Sequence, residues 1–318
     1  MPLTRRPFRR ALVAAGLAAS AAALAAGVAA VTPAAAGAQA PDTLAGRSGM
    51  LRARWLVPSP SGLFSYLRRL LGDSVDAGPG VFEAPAADGR VDGRADAAER
   101  RPFTYITMLP FAEKVEGRIG RYRMGFWPGE RRGRGGAPAA GDAKYGPPAG
   151  FIQVTRANAA TPVSEHFRLR DFLTHDQAAV WPKYLVLDPA LVDKLELVLQ
   201  DLRSRGYQAE RLHVMSGFRT PRYNARGGDP RGRAELSRHQ YGDAADVWVE
   251  NGAGRMADLT GDGRVDARDA AVVAESAERV ERRHPALVGG VGVYPGTRAH
   301  GPFVHIDTRG RRARWGAG

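Results

Sequence analysis

Apolar residues recur at helical spacing in DPALVDKLELVLQDLRSRG (188–206), where Leu191, Val192, Leu195, Val198, Leu199 and Leu202 share one face. Asp188 suits the N-cap, Pro189 the first helical position and Gly206 the stop, so a helix is predicted between them. AAVVAESAERVERR (270–283) predicts a second helix. Between and after them lie short runs of β-branched and aromatic residues: RLHVMS (211–216), ADVWVE (245–250), VGVYP (291–295) and FVHID (303–307). Strands at hairpin-like spacing beside a helix predict an α+β fold, an antiparallel sheet covered by helices. Upstream, FTYITMLP (103–110), RIGRYRMGFWP (118–128) and FIQVT (151–155) are bounded by Gly and Pro and predict a small β-rich unit over 102–160. RRGRGGAPAAGDAKYGPPAG (131–150) interrupts it as a linker or long loop. Tyr122, Phe126 and Trp127 are expected in a core, in preference to a glycan-stacking surface.

The chain opens differently. TRRPFRR (4–10) precedes an uncharged, alanine-rich run over 11–31, and AAAGAQA (34–40) offers small-residue cleavage sites, so residues 1–40 read as an export signal. Paired Arg5 and Arg6 with Phe8 beyond them resemble a twin-arginine signal, which implies export after folding. The alternative, an uncleaved membrane anchor, is disfavoured because alanine and glycine make the run weakly hydrophobic; no later stretch is apolar enough to span a bilayer. Residues 41–101 hold one amphipathic piece, GLFSYLRRLLG (62–72), within Ala/Gly/Asp-rich sequence that cannot build a core, and are expected to form a flexible tether. The expected location is the periplasm or cell wall, with no stable membrane span once the signal is removed.

Composition narrows the chemistry. With 44% hydrophobic and 25% charged residues, the 318-residue chain is globular in character. It has no cysteine, so thiolate ligands, thiolate nucleophiles and disulfides are excluded. The formal charge of +13 includes Arg5, Arg6, Arg9 and Arg10 of the signal. For an exported protein the anionic partners are envelope polymers and lipid headgroups; nucleic-acid binding is disfavoured because no ordered basic-aromatic motif accompanies the arginines.

Without cysteine, a zinc site must use imidazole nitrogens and carboxylate oxygens, and a catalytic one takes three protein ligands. SRHQYGDAAD (237–246) supplies His239 and Asp246, with Gly242, Ala244 and Ala245 letting the chain turn back closely between them. Asp246 opens a strand-forming run, where a bound cation would account for a partly buried charge. FVHID is the best source of a third ligand. Alternation puts Phe303, His305 and Asp307 on one side of that strand and Val304 and Ile306 on the other. Taken singly, each residue has a structural alternative: a hydrogen-bonded core histidine, or an aspartate capping a turn or pairing with an arginine. His166, His175, His213 and His284 show no partner pattern.

The same residues carry a resemblance. SRHQYGDAAD fits the SxHxxGxAxD motif of the zinc D-Ala-D-Ala carboxypeptidases, vancomycin-resistance dipeptidases and murein endopeptidases that share a fold with the Hedgehog signalling domain. SGFRTPRYN (216–224) resembles their SGYRSPxxN segment, and FVHIDTRGRRARW (303–315) is similar to the closing strand of the exported, twin-arginine type of murein endopeptidase. The likeness spans residues 162–316 and implies a zinc peptidase domain over 161–318. It implies that His239, Asp246 and His305 bind zinc, that Arg219 stabilises the substrate or the transition-state oxyanion, and that Ser237 supports the site. Peptidoglycan is then the expected partner.

Family members place a general base before the last ligand as Glu-x-x-His or His-x-x-x-x-His. Here Pro302 occupies the first position and His300 fits the second spacing, while Asp307 lies about 7 Å from His305 along the same strand face. Spacing favours His300; side-chain direction favours Asp307, which is preferred. A further loop, DLTGDGRVDARD (258–269), follows the twelve-residue calcium pattern: Asp258, Thr260, Asp262, the Arg264 carbonyl, Asp266 and Asp269, with Gly263 at the sharp turn. It resembles dockerin-type loops and predicts a structural calcium site. The leading functional expectation is an exported zinc peptidase acting on peptidoglycan stem peptides or cross-links; the alternative is a catalytically silent cell-wall binding module on the same scaffold.

Overall fold

The computed structural model describes residues 103–128, 130, 145–227, 234–252 and 254–316, together with the strands β1 (Ala53–Leu56) and β2 (Gly80–Ala84). The export signal, the amphipathic piece at 62–72 and most of the loop at 131–150 lie outside the described residues. The remaining strands are β3 (Phe103–Pro110), β4 (Arg118–Ile119), β5 (Tyr122–Arg123), β6 (Gly150–Val154), β7 (Lys183–Leu185), β8 (Arg211–Ser216), β9 (Ala244–Glu250), β10 (Gly290–Tyr294), β11 (Phe303–Asp307) and β12 (Ala313–Gly316). The helices are α1 (Pro189–Ser204), α2 (Pro221–Asn224) and α3 (Ala267–Arg283). The class is α+β, as the periodicities predict. Among the described residues, no helix is long and apolar enough to cross a membrane.

One sheet has the order β12-β10-β11-β9-β8. It is antiparallel except where β10 and β12 run parallel. Register puts Val291 and Val293 beside Ile306 and Val304, and Val304 beside Val247, so one face is an apolar layer. Helix α3 packs on β10 and β11 and against α1, burying Ala270, Val273, Ala277 and Val280. The opposite face carries Asp246, His305 and Asp307.

Helix α1 begins as expected, with the Asp188 carboxylate accepting from the Ala190 amide at 2.9 Å and Pro189 in the first turn. Its polar residues are also buried. Lys194 is fully buried and donates to Glu281 on α3 (2.6 Å) and to the backbone carbonyl of Asp307 (2.7 Å). Glu281 accepts in turn from Gly289 N (3.0 Å) and from Arg314. Burial lowers the pKa of Lys194, and Glu281 opposes that shift. This network ties both long helices to the end of β11.

Two expectations about the N-terminal half change. The tether over 41–101 contains strands: β1 pairs parallel and β2 antiparallel with β3. Short apolar runs such as Val81–Phe82 form strands when a neighbouring edge is available, despite the polar sequence around them. The unit expected to end at residue 160 continues across that boundary, because β6 pairs antiparallel with β7, Ile152 facing Leu185. Tyr122 and Trp127 are 1% and 2% exposed and join a core that runs from Ile106 to Ile306. Phe126 packs beneath the Lys114 ammonium, 4.8 Å from its ring centre. Trp127 donates from Nε1 to the Gln240 carbonyl (2.9 Å), and Arg222 N to the Met124 carbonyl (2.9 Å), so this half supports the turn that follows Ser237.

Candidate metal centre

The site grows from two adjacent strands and one tight turn. In the register of β9 and β11, Asp246 lies opposite His305. Directly opposed cross-strand residues share a face, with Cβ atoms about 5 Å apart. On the other side of β9 an irregularity in the pairing with β8 sets Ser216 against Asp246. His239 comes from a 3-10 turn, Arg238–Tyr241, that ends at Gly242 in the left-handed region (φ 72°). A Cβ on Gly242 would also overlap the Val186 carbonyl. Glycine is therefore required twice over, by dihedral and by space. Gly242→Ala is expected to destabilise the fold by about 2 kcal/mol or more and to displace His239. Thermal melting and metal-binding titration of the variant check both effects.

His239 Nε2, Asp246 Oδ1 and His305 Nδ1 form a nearly equilateral triangle, with sides of 3.2, 3.0 and 3.2 Å. Among the described residues, these are the one group of three His, Asp or Glu side chains that presents converging donor atoms. Zinc bonds of about 2.0–2.1 Å in tetrahedral geometry set neighbouring ligand atoms about 3.3 Å apart. The triangle has that size, and its donor chemistry suits zinc.

Each corner is held from behind. His239 donates through Nδ1 to the Gly217 carbonyl (2.7 Å), which fixes the tautomer and leaves Nε2 as the inward acceptor. The second oxygen of Asp246 accepts from Arg219 Nη2, while Arg219 Nε donates to Ser216 Oγ (2.8 Å). His305 Nε2 meets Asp307 Oδ2 at 3.0 Å. Burial pushes the His239 pKa down to about 4. Burial also opposes charge on His305, yet its bonds to Asp246 and Asp307 outweigh that and raise its pKa. Asp246 is held well below the usual carboxylate range: burial works against its ionisation, and His239, His305 and Arg219 overcome it.

In the metal-free site an additional proton is favoured on His305 and disfavoured on His239. A metal ion must displace it from Nδ1, so the free site binds more protons than the loaded one and metal affinity falls as pH falls. Where His305 is protonated in the free protein, affinity is expected to drop by about tenfold per pH unit, for one released proton. Titrating metal into weakly buffered protein and counting released protons checks this.

The other sequence-predicted residues fall as follows. Arg219 is 13% exposed at its side chain and is engaged by Asp246 and Ser216. Ser237 starts the His239 turn, its carbonyl accepting from Gln240 N (3.1 Å), and its side chain makes no capping bond. His300 lies in the loop before β11, its Nδ1 donating to the Gly301 carbonyl (2.8 Å) and its ring edge-on to Phe303, 5.1 Å between centres. Asp307 lies on the same face of β11 as His305, as alternation requires. Yet it is fully buried behind the ring and surrounded by donors: Gly290 N, Arg309 and His305. Burial opposes its ionisation, but those bonds depress its pKa strongly. A carboxylate so placed is a poor proton acceptor, which argues against the expectation that it serves as general base.

The loop expected to bind calcium leads directly into α3. The carboxylates of 258–269 turn onto the loop's own amides: Asp258 accepts from Gly261 N (2.7 Å) and Gly263 N (2.8 Å), Asp269 from Leu259 N (2.8 Å) and Asp266 N (2.8 Å). The Arg268 guanidinium bridges Asp262 (2.7 Å) and Asp266 (2.8 Å). Asp266 and Asp269 also form the capping box of α3. Backbone donors and one arginine therefore satisfy the acidic residues, and the loop acts as the entry to α3. Thr260 adds its hydroxyl to the same network (3.2 Å to Asp269), and Arg264 contributes its amide to Asp262 (2.9 Å).

Sequence reasoning missed the aromatic surround of His305. Trp315 on β12 lies 5.1 Å from the imidazole centre and donates to the Tyr294 hydroxyl (2.8 Å), and Tyr294 stacks on Phe303 at 4.6 Å. Gly292 makes room for that indole, since a Cβ there would overlap it. The alternating glycines of GVGVY (290–294) were the available signal.

No curated protein and no solved structure matches the chain. Residues 174–261 match the family model described as Peptidase M15. His239 and Asp246 lie inside the matched segment, and His305 comes from the strand paired with that of Asp246. The converging His-Asp-His group thus draws two of its three residues from a segment similar to the Peptidase M15 family.

Proposed function

We propose that the protein is an exported zinc-dependent peptidase that hydrolyses peptide bonds in peptidoglycan stem peptides or cross-links. The observation that carries this reading is the triangle of His239 Nε2, Asp246 Oδ1 and His305 Nδ1, two of whose corners lie in the segment similar to Peptidase M15. Export to the periplasm or cell wall rests on the arginine-led, alanine-rich N-terminus.

His239, Asp246 and His305 would hold the ion. Bound zinc supplies Lewis acidity toward a water and toward the scissile carbonyl. The chain's own groups then divide the remaining work. His300, with Nδ1 donating to a backbone carbonyl, keeps Nε2 as its proton-accepting atom and is the general-base candidate that the buried state of Asp307 leaves. It lies in the loop that leads into β11, the strand of His305. Arg219 keeps the Asp246 carboxylate in register and brings positive charge beside the reacting carbonyl.

Incubating the purified protein with cross-linked murein and identifying the released fragments by mass spectrometry tests the proposal. New stem-peptide ends that vanish on chelation and return with zinc are expected. Intact murein after treatment with protein of full zinc content would favour the alternative, a silent binding module.

A further inference from the structure

We infer that Asp307 is a positioning residue for the metal centre, acting through His305 and held in place by Arg309 and Gly290; the inference rests on the zinc reading above. His305 has two ring nitrogens and the site can use one. Nδ1 lies 3.0 Å from Asp246 Oδ1 and 3.2 Å from His239 Nε2, so it faces the shared point. Nε2 faces the other way, 3.0 Å from Asp307 Oδ2. An ionised carboxylate there can only accept, so it keeps the proton on Nε2 and leaves the Nδ1 lone pair for the ion. A carboxylate behind a ligating imidazole also raises the basicity of the ligand.

Asp307 is itself over-determined. Its Oδ1 accepts from Gly290 N (2.7 Å), from Arg309 N (3.1 Å) and from Arg309 Nε (2.9 Å). Its backbone carbonyl accepts from the buried Lys194 ammonium (2.7 Å). A Cβ at Gly290 would overlap the Asp307 carboxylate, so the glycine leaves the space it occupies. Arg309 also lies over Trp315 (5.3 Å), whose indole borders the His305 ring (5.1 Å). Carboxylate behind and indole beside leave the imidazole one orientation.

The test uses the full chain, with Zn2+ itself as the probe, titrated in competition with a chromogenic chelator. Asp307→Asn is expected to weaken zinc binding by about 10- to 100-fold while hydrolysis largely recovers at saturating zinc. Arg309→Met, which leaves the carboxylate but releases it, is expected to weaken zinc binding in the same direction. It serves as the second variant if Asp307→Asn does not fold, as judged by near-UV circular dichroism. In the cobalt-substituted protein, both variants are expected to alter the visible ligand-field spectrum, which a loss of stability alone would not do. Unchanged zinc affinity in both folded variants would overturn the inference and leave the zinc reading intact. Loss of hydrolysis at saturating zinc with affinity unchanged would assign Asp307 to proton transfer and overturn it too. Failure of the wild-type protein to bind zinc would remove the metal reading and the inference together.

Discussion

Asp246→Asn is expected to abolish zinc retention at micromolar metal and to lower murein hydrolysis by more than about 100-fold, since partners that only orient a metal ligand already cost 10- to 100-fold when removed. Three features make this the most damaging conservative change. Asp246 Oδ1 closes two sides of the ligand triangle, at 3.0 and 3.2 Å. Its Oδ2 is the ion-pair partner of Arg219. It is also the one anion inside the triangle, so the amide removes the charge that pairs with Arg219 and with the Nδ1 side of His305. Zinc content by elemental analysis, fragment release from murein and a melting curve separate the consequences: metal and activity should be lost even where the variant remains folded. A variant that kept both zinc and activity would dismiss the metal centre as drawn.

Lys194→Met should cost about 3 kcal/mol of stability, the lower end of the range for breaking a buried ion pair, because Glu281 keeps Arg314 and Gly289 N as partners. The methionine matches the lysine stem in length but cannot donate to Glu281 or to the Asp307 carbonyl. The latter bond links stability to the site, as it anchors the end of β11 beyond His305. Denaturant titration of Lys194→Met, Glu281→Gln and the double variant measures the coupling between them, expected at 0.5–3 kcal/mol.

Much of this site is legible in the sequence. Period-two alternation put His305 and Asp307 on one strand face, and the small residues around Gly242 announced a tight return of the chain. What alternation could not supply was depth: Asp307 points to the correct face, but only the close approach of Gly290 and the reach of Arg309 show that it sits behind the imidazole. Spacing likewise presented the carboxylates of 258–269 as ligands. The same short side chains can reach loop amides, and which they choose depends on the geometry at the start of α3 and on Arg268. The strands β1, β2, β7 and β12 were missed because three to five residues carry too little pattern to outweigh their surroundings. Helix α1 was legible in extent but not in environment, since Lys194 and Asp201 lie outside its apolar set yet are buried with partners on α3 and β11.

The strand pairing across residue 160 bears on how this protein can be cut. A fragment chosen from the motifs alone, starting near residue 161, would strip β6 from β7 and take Trp127 from the Gln240 carbonyl beside His239. It would lay bare the apolar flank once covered by Phe151, Ile152 and Val154. Such a truncated piece should aggregate on expression, whereas one beginning upstream of Phe103 retains its own lining.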